Sequence, residues 1–158
     1  VVMKDGVVQQ IGKPQDVYDS PVNLFVAKFL GTPPINVFEG TVRQEMLYIG
    51  EDAVLPVPGV PEGDVIVGIR PEGFIPDENG PLHCTLSRVE VMGRDVSIVS
   101  TNAHSLNPNI RSIIDAQQRP SEDTGIVHFS LKPRKVFLFD KETGERKLCA
   151  DDAGRNGD

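Results

Sequence analysis

The chain has 158 residues, with 16 lysines and arginines against 23 acidic side chains, so its formal charge is -7. This length corresponds to one domain, or one domain with an appended piece, and allows a hydrophobic core without disulfides or metals. The acidic balance disfavours a nucleic-acid-binding protein, which needs a basic face for phosphates. Apolar runs such as Val136 to Phe139 are far shorter than the ~20 residues of a membrane-spanning helix.

The first segment is predicted to form a β-hairpin followed by two short helices. Val1 to Met3 and Val7 to Ile11 flank an Asp-Gly pair, which is typical of a two-residue turn. Pro14 to Tyr18 begins with the proline that helices tolerate at their first position. Val22 to Leu30 is apolar on more than one face, which predicts a buried helix. Because the chain opens inside an apolar run, we expect it to be a piece of a longer protein.

After the stiff Thr32-Pro33-Pro34 linker, the pattern changes to short strands. Strands are predicted at 37–43, 46–49, 53–57, 64–70, 82–92, 95–100, 110–114, 125–131, 136–139 and 146–148. For 110–114 a helical turn is the alternative, and a strand is favoured. The alternation changes phase between Leu86 and Val89, which predicts a bulge near Ser87 and Arg88. Several prolines confine the strand at 53–57 to a sheet edge or a loop.

Many short strands between glycine- and proline-containing turns indicate a mainly β protein with a small barrel or sandwich. A five-stranded, partly open barrel of the OB type fits the length of the strand region, as one barrel or as two small units. We therefore divide the chain into residues 1–34, an N-terminal piece with a linker, and residues 35–148, the barrel region. Residues 149–158 are acidic and polar, and we expect a disordered tail.

No set of residues has the pattern of an active site. Gly12-Lys13 lacks the glycine spacing and the hydroxyl residue of a phosphate-binding loop. The three histidines, His83, His104 and His128, have no partner at metal-ligand spacing. We therefore predict no catalytic, cofactor-binding or metal-ligating residue in this chain.

The triplet Arg70-Pro71-Glu72 follows a strongly apolar strand. An arginine fork and a carboxylate at a strand end can anchor a neighbouring loop or a partner chain. The alternative is an ion pair within the chain on the surface, worth less than about 1 kcal/mol. The sequence alone leaves both interpretations open.

Three segments resemble one family in the same order along the chain. The first is residues 1–40, VVMKDGVVQQIGKPQDVYDSPVNLFVAKFLGTPPINVFEG. The second is Gly68-Ile69-Arg70-Pro71-Glu72, which is similar to a family motif Gly-Ile-Arg-Pro-Glu-His with Gly73 in place of the histidine. The third is the run 139–144, FDKETG, which is similar to a terminal Phe-Asp-x-x-Thr-Gly. The family is that of the ATPase subunits of bacterial ABC sugar importers of the maltose/multiple-sugar type.

The resemblance implies that the intact protein is a transport ATPase that docks on membrane permease subunits at the cytoplasmic face of the membrane. ATP and Mg²⁺ would bind upstream of Val1, where the phosphate loop, signature motif, catalytic acid and switch histidine would lie. For these 158 residues it implies the end of the nucleotide-binding domain and a C-terminal regulatory region with an OB-type (TOBE) barrel. We therefore expect no ATPase activity and no cofactor in this chain.

The resemblance also implies a homodimer in which the barrels stay in contact, act as a hinge, and offer a site for a regulatory protein or a small effector. The residues expected in or near the dimer contact, or in its supporting fold, are Arg70, Glu72, Phe139 and Asp140. Charge reversal at Arg70 is expected to weaken the dimer.

Two alternative functions stay open. The barrel could bind a small oxyanion or a sugar if Arg70, Arg88, Arg94 and Arg111 converge on one pocket, although the charge of -7 disfavours this. An oligonucleotide-binding OB module is the weaker alternative. The strands show neither a basic stripe nor interleaved aromatic side chains, so we predict no nucleic-acid partner.

Overall fold

The computed structural model describes residues 2–4, 6–10, 15, 18, 21, 23–29, 34–115, 117 and 125–147. The N-terminal elements are β1 (Val2–Lys4), β2 (Val7–Gln10) and α1 (Leu24–Phe29). The following strands are β3 (Asn36–Arg43), β4 (Met46–Ile49), β5 (Asp52–Pro56), β6 (Gly63–Ile69), β7 (Phe74–Pro76) and β8 (Leu82–Met92). The last strands are β9 (Asp95–Thr101), β10 (Ile110–Asp115), β11 (Ile126–Leu131), β12 (Val136–Asp140) and β13 (Arg146–Lys147). The prediction of a mainly β protein is confirmed.

These strands form a small hairpin and two larger antiparallel sheets. The hairpin pairs β1 with β2. The six-stranded sheet has the order β13-β12-β6-β3-β4-β5, and the five-stranded sheet has the order β10-β9-β8-β11-β7. The edge strands β10 and β7 of the five-stranded sheet also contact each other, so this sheet is a nearly closed barrel. We call it the barrel.

One hydrophobic core joins the barrel to the six-stranded sheet. Phe38 and Ile69 from the six-stranded sheet and Ile98 and Phe129 from the barrel are all completely buried in it. Phe129 meets the ring of Phe74 edge to face, with centroids 5.0 Å apart. Both layers therefore bury the side chains of their facing surfaces in the same core.

The opposite face of the six-stranded sheet carries a second, smaller core beneath α1. It contains Ala27 of the helix together with Val37, Ile66, Phe137 and Phe139 of the sheet. Successive residues of a strand point to opposite faces. In β12, Phe137 and Phe139 therefore face α1, whereas Leu138 belongs to the core shared with the barrel.

Most of the predicted strands are confirmed to within one or two residues. The register of β8 against β9 shifts between Leu86 and Arg88, which confirms the predicted bulge. The proline-rich strand β5 lies at the edge of its sheet, as expected. The sequence interpretation missed β7, a strand of three residues that ends at Pro76. Such a short run has no alternation to recognise, and it pairs at the edge of its sheet with β11.

The N-terminal hairpin is confirmed, and Gly6 has the positive φ of +79° that its turn needs. The second predicted helix is confirmed as α1, with Asn23 accepting the Val26 N–H at its start. The predicted first helix at 14–18, most of the linker at 32–34 and the tail at 149–158 lie outside the described residues, apart from single positions. None of the helices in the described part of the chain is long and apolar enough to cross a membrane.

The shared core predicts a sharp contrast between two substitutions. Phe38→Ala removes a fully buried ring and should lower the free energy of unfolding by about 3 to 5 kcal/mol. Leu106→Ala changes a side chain that is 51% exposed and should cost less than about 0.5 kcal/mol. Urea denaturation followed by circular dichroism measures both values. Similar losses for the two variants would contradict the shared core.

Candidate functional site

Arg70 occupies the sharp corner where β6 ends. Its backbone is extended, and the 3-10 turn Pro71–Gly73 follows at once. The Arg70 N–H donates to the carbonyl of Lys135 at 3.0 Å, and its own carbonyl accepts the Gly73 N–H at 2.8 Å. Proline at the start of the turn restricts the backbone on both sides. The corner therefore holds the Arg70 side chain in one direction, and that side chain is completely buried.

The guanidinium of Arg70 binds two backbone carbonyls of the N-terminal segment. Its Nη1 donates to the carbonyl of Ala27 in α1 at 2.8 Å, and its Nη2 donates to the carbonyl of Tyr18 at 2.9 Å. The same group lies 3.9 Å from the centroid of the Tyr18 ring and 5.7 Å from that of Phe137. A planar fork with several donors suits this combination of hydrogen bonding and stacking. Arg70 thus fastens α1 and Tyr18 to the end of β6.

Glu72 holds the same tyrosine by its other end. The Tyr18 hydroxyl donates to Glu72 Oε2 at 2.6 Å, and Lys135 Nζ lies 3.4 Å from the same oxygen. Burial by itself would raise the pKa of the Glu72 carboxyl. The hydrogen bonds from Tyr18 and the backbone, with the nearby Lys135 charge, outweigh burial and leave the pKa below its ordinary value. We call Arg70, Glu72 and Tyr18 the helix clamp.

A second contact holds the start of α1. Asp140 ends β12, and its Oδ1 accepts the N–H groups of Glu142 and Thr143, each at 2.9 Å. These hydrogen bonds, first the one from Thr143 and then the one from Glu142, hold the pKa of the Asp140 carboxyl below its usual range. The tight turn ends at Gly144, whose carbonyl accepts the Leu24 N–H of α1 at 2.8 Å. The Asp140–Gly144 turn and the helix clamp therefore hold α1 near its two ends.

The structure thus divides the four predicted contact residues into two kinds. Arg70 and Phe139 are completely buried, whereas the side chains of Glu72 and Asp140 are 38% and 37% exposed. The alternative of a surface ion pair does not describe Arg70, because it is buried and binds carbonyl groups. Glu72 has Lys135 as its cationic neighbour. Arg70, Phe139 and Asp140 lie around α1, and Glu72 binds the Tyr18 on which Arg70 stacks; the sequence interpretation did not anticipate these contacts.

Two of the arginines expected for an anion pocket flank one carboxylate, and a third, Arg70, is used elsewhere. Arg88 Nε lies 2.6 Å from Glu90, and Arg111 lies 3.7 Å from the same carboxylate. The guanidinium of Arg70 is instead used beneath α1. An open cleft of about 340 Å³ between α1 and the Asp140–Gly144 turn has three lysines and two acids in its lining, Lys4, Lys28, Lys141, Asp140 and Glu142. Its mixed charges are unlike those of a dedicated anion site.

The chain is similar to known proteins over nearly all of its length. Residues 31–74 match the family described as the MalK OB fold domain. The sn-glycerol-3-phosphate import ATP-binding protein UgpC of Ruegeria sp. (strain TM1040) is 30% identical over 147 residues, which cover 92% of this chain and 41% of that protein. The oligosaccharides import ATP-binding protein MsmX of Bacillus subtilis (strain 168) is 35% identical over 168 residues, with coverage of 92% and 43%.

A third relative is the uncharacterized ABC transporter ATP-binding protein YcjV of Escherichia coli O6:K15:H31 (strain 536 / UPEC). It is 33% identical over 161 residues, which cover 94% of this chain and 43% of YcjV. The chain therefore spans about two fifths of the length of the curated relatives it matches.

The helix clamp predicts a large effect of a conservative substitution. Arg70→Lys keeps the charge, but a single ammonium cannot bind both carbonyls and stack on Tyr18, so the free energy of unfolding should fall by about 2 to 3 kcal/mol. Hydrogen exchange at the amides of α1 should accelerate. Arg88→Lys, at an exposed ion pair, is the matched control and should cost less than about 0.5 kcal/mol. Unchanged protection of α1 in Arg70→Lys would contradict the clamp.

Glu72 predicts a pH dependence of stability. Its pKa is lowered in the folded state, so the ionised carboxylate stabilises the fold above its ordinary pKa of 4.5. This contribution disappears as the pH falls through the lowered value. The difference in unfolding free energy between the parent and Glu72→Gln should therefore be constant at neutral pH and change below about pH 4.5. A free-energy difference between the two proteins that stays constant down to roughly pH 3 would contradict the assignment.

Proposed function

We propose that this chain is the C-terminal regulatory and dimerisation region of an ATP-binding subunit of an ABC sugar importer. It carries the MalK OB-fold domain and is homologous to such subunits, and both findings support the proposal. In this proposal ATP and Mg²⁺ bind in another part of the parent protein, and these 158 residues hydrolyse no ATP. The parent subunit would act on the inner face of the membrane, together with permease subunits. A regulatory protein or a small effector would act through the barrel.

The observation that carries the proposal is the attachment of α1 to the six-stranded sheet. The helix clamp and the Asp140–Gly144 turn hold both ends of α1, and an apolar core lies beneath it. A movement of the barrel region reaches the residues before α1 only if α1 is held rigidly on the sheet. A close-packed contact meets this condition because it moves as a unit. The residues before α1, which resemble the end of a nucleotide-binding domain, would then follow any movement of the barrel region.

A dimer through this region would keep the two parent subunits together while their ATP sites open and close. Such a permanent contact raises the effective concentration of one catalytic half near the other. An effector that binds better to one arrangement would shift the equilibrium by a coupling free energy of roughly 1 to 3 kcal/mol. Of the four contact residues we predicted, only Glu72 and Asp140 are exposed enough to touch a partner, whereas Arg70 and Phe139 would support them.

Sedimentation of the purified chain tests the dimer. We expect a reversible monomer–dimer equilibrium, and a double variant Glu72→Gln, Asp140→Asn should weaken it about tenfold by removing two charges. Both substitutions keep an oxygen that can accept the hydrogen bonds seen at these positions. Glu90→Gln, which removes the charge of an exposed carboxylate on the barrel, is the control and should leave the equilibrium unchanged.

Three outcomes would each reject a part of this proposal. A strictly monomeric chain at millimolar concentration would exclude dimerisation by this region, and an equal effect of Glu90→Gln would exclude the assigned contact. A phosphate-release assay should detect no ATP turnover above the buffer control. Turnover would contradict the proposal that ATP is hydrolysed in another part of the parent protein. Titration calorimetry with sulfate, molybdate and sugars tests the ligand-binding alternative in the same samples.

A further inference from the structure

Two of the three histidines, far apart in sequence, lie side by side on the outside of the barrel, with the edge of one ring towards the face of the other. His83 of β8 is directly opposite His128 of β11 in the antiparallel register. Their neighbours Cys84 and Val127 are buried in the core, so the alternation of the strands places both imidazoles on the outer face. The ring centroids are 4.5 Å apart, with an angle of 77° between the planes. The side chain of His83 is 54% exposed.

Each ring is oriented by an oxygen atom on its Nδ1 side. His83 Nδ1 lies 3.0 Å from Asp52 Oδ1, and His128 Nδ1 lies 3.0 Å from the carbonyl of Glu78. Asp52 also accepts the backbone N–H of His83 with its other oxygen, at 3.1 Å. An ionised carboxylate and a carbonyl can only accept hydrogen bonds, so Nδ1 is the protonated nitrogen in both rings. In the neutral imidazole the lone pair then lies on Nε2 of each ring.

This is the arrangement found around histidines that bind metals. A ligating imidazole usually donates its other N–H to a carboxylate or a carbonyl, which orients the ring and makes it a better donor. Directly opposed residues on antiparallel strands are close enough for their side chains to act together. His83 with Asp52 and His128 with Glu78 provide two such oriented rings side by side.

We propose that His83 and His128 form a binding site for a divalent transition-metal ion, coordinated by the Nε2 atoms of both rings. Imidazole suits Zn²⁺, Ni²⁺ and Cu²⁺, with Cu²⁺ expected to bind most tightly. Within residues 34–115 and 125–147 and the shorter described segments, no group of three or more His, Cys, Asp and Glu side chains could hold an ion. Water would therefore occupy the remaining coordination positions. This site is independent of the helix clamp and of the proposed dimer.

Titration calorimetry of the purified chain with NiCl₂, ZnCl₂ and CuCl₂ at pH 7.5 tests the site. We expect one ion per chain, and a loss of affinity of at least about tenfold in His83→Ala and in His128→Ala. His104→Ala is the matched control, because His104 lies over Gly50 in a neighbouring turn, and it should bind like the parent. Asp52→Asn keeps both rings but weakens the orientation of the His83 ring, and should reduce affinity by about tenfold.

Electron paramagnetic resonance of the Cu²⁺ adduct provides a readout that a loss of folding does not imitate. The parent should show coupling to two imidazole nitrogens, and each single variant should show coupling to one. His83→Gln and His128→Gln, with unchanged circular dichroism, serve as second variants if an alanine variant unfolds. The proposal is overturned if no ion binds at millimolar concentration, if His104→Ala weakens binding as much as His83→Ala, or if a single histidine variant keeps both nitrogen couplings.

Discussion

A buried arginine determines how the N-terminal segment sits on this protein. Removing a guanidinium from water is costly unless hydrogen bonds replace the lost solvation. Arg70 obtains those bonds from the carbonyls of Ala27 and Tyr18, which belong to the N-terminal segment rather than to the β region. The position of α1 and the solvation of the charge are therefore linked, because moving the helix away would remove the Ala27 acceptor from Arg70.

The six-stranded sheet makes this link mechanically useful. Along β3, β6 and β12 it is buried on both faces, by the barrel on one side and by α1 on the other. Close-packed interiors deform little, so a displacement on one face is passed to the other. This property fits the hinge that we propose for the region, in which movement of the barrel reaches the residues before α1.

The local features of the chain were predictable from its sequence, and the composition of the site was predictable in part. The bulge in β8, the edge position of β5 and the hairpin turns follow from alternation, proline and glycine. The motif residues Arg70, Glu72, Phe139 and Asp140 were identified from their resemblance to a family. Their contacts with α1 and with Tyr18 were not, because a motif states which residues occur and not what they contact.

The sequence by itself determined the class of the fold, the extent of most strands and the places where they turn, since these depend on neighbours within a few positions. Only the tertiary structure decided that Arg70 binds Tyr18 and Ala27, which are 52 and 43 positions away, and that His83 lies opposite His128. The physical reason is that strand pairing and sheet stacking bring distant residues together. A local pattern contains the period of a strand but not the identity of the strand beside it.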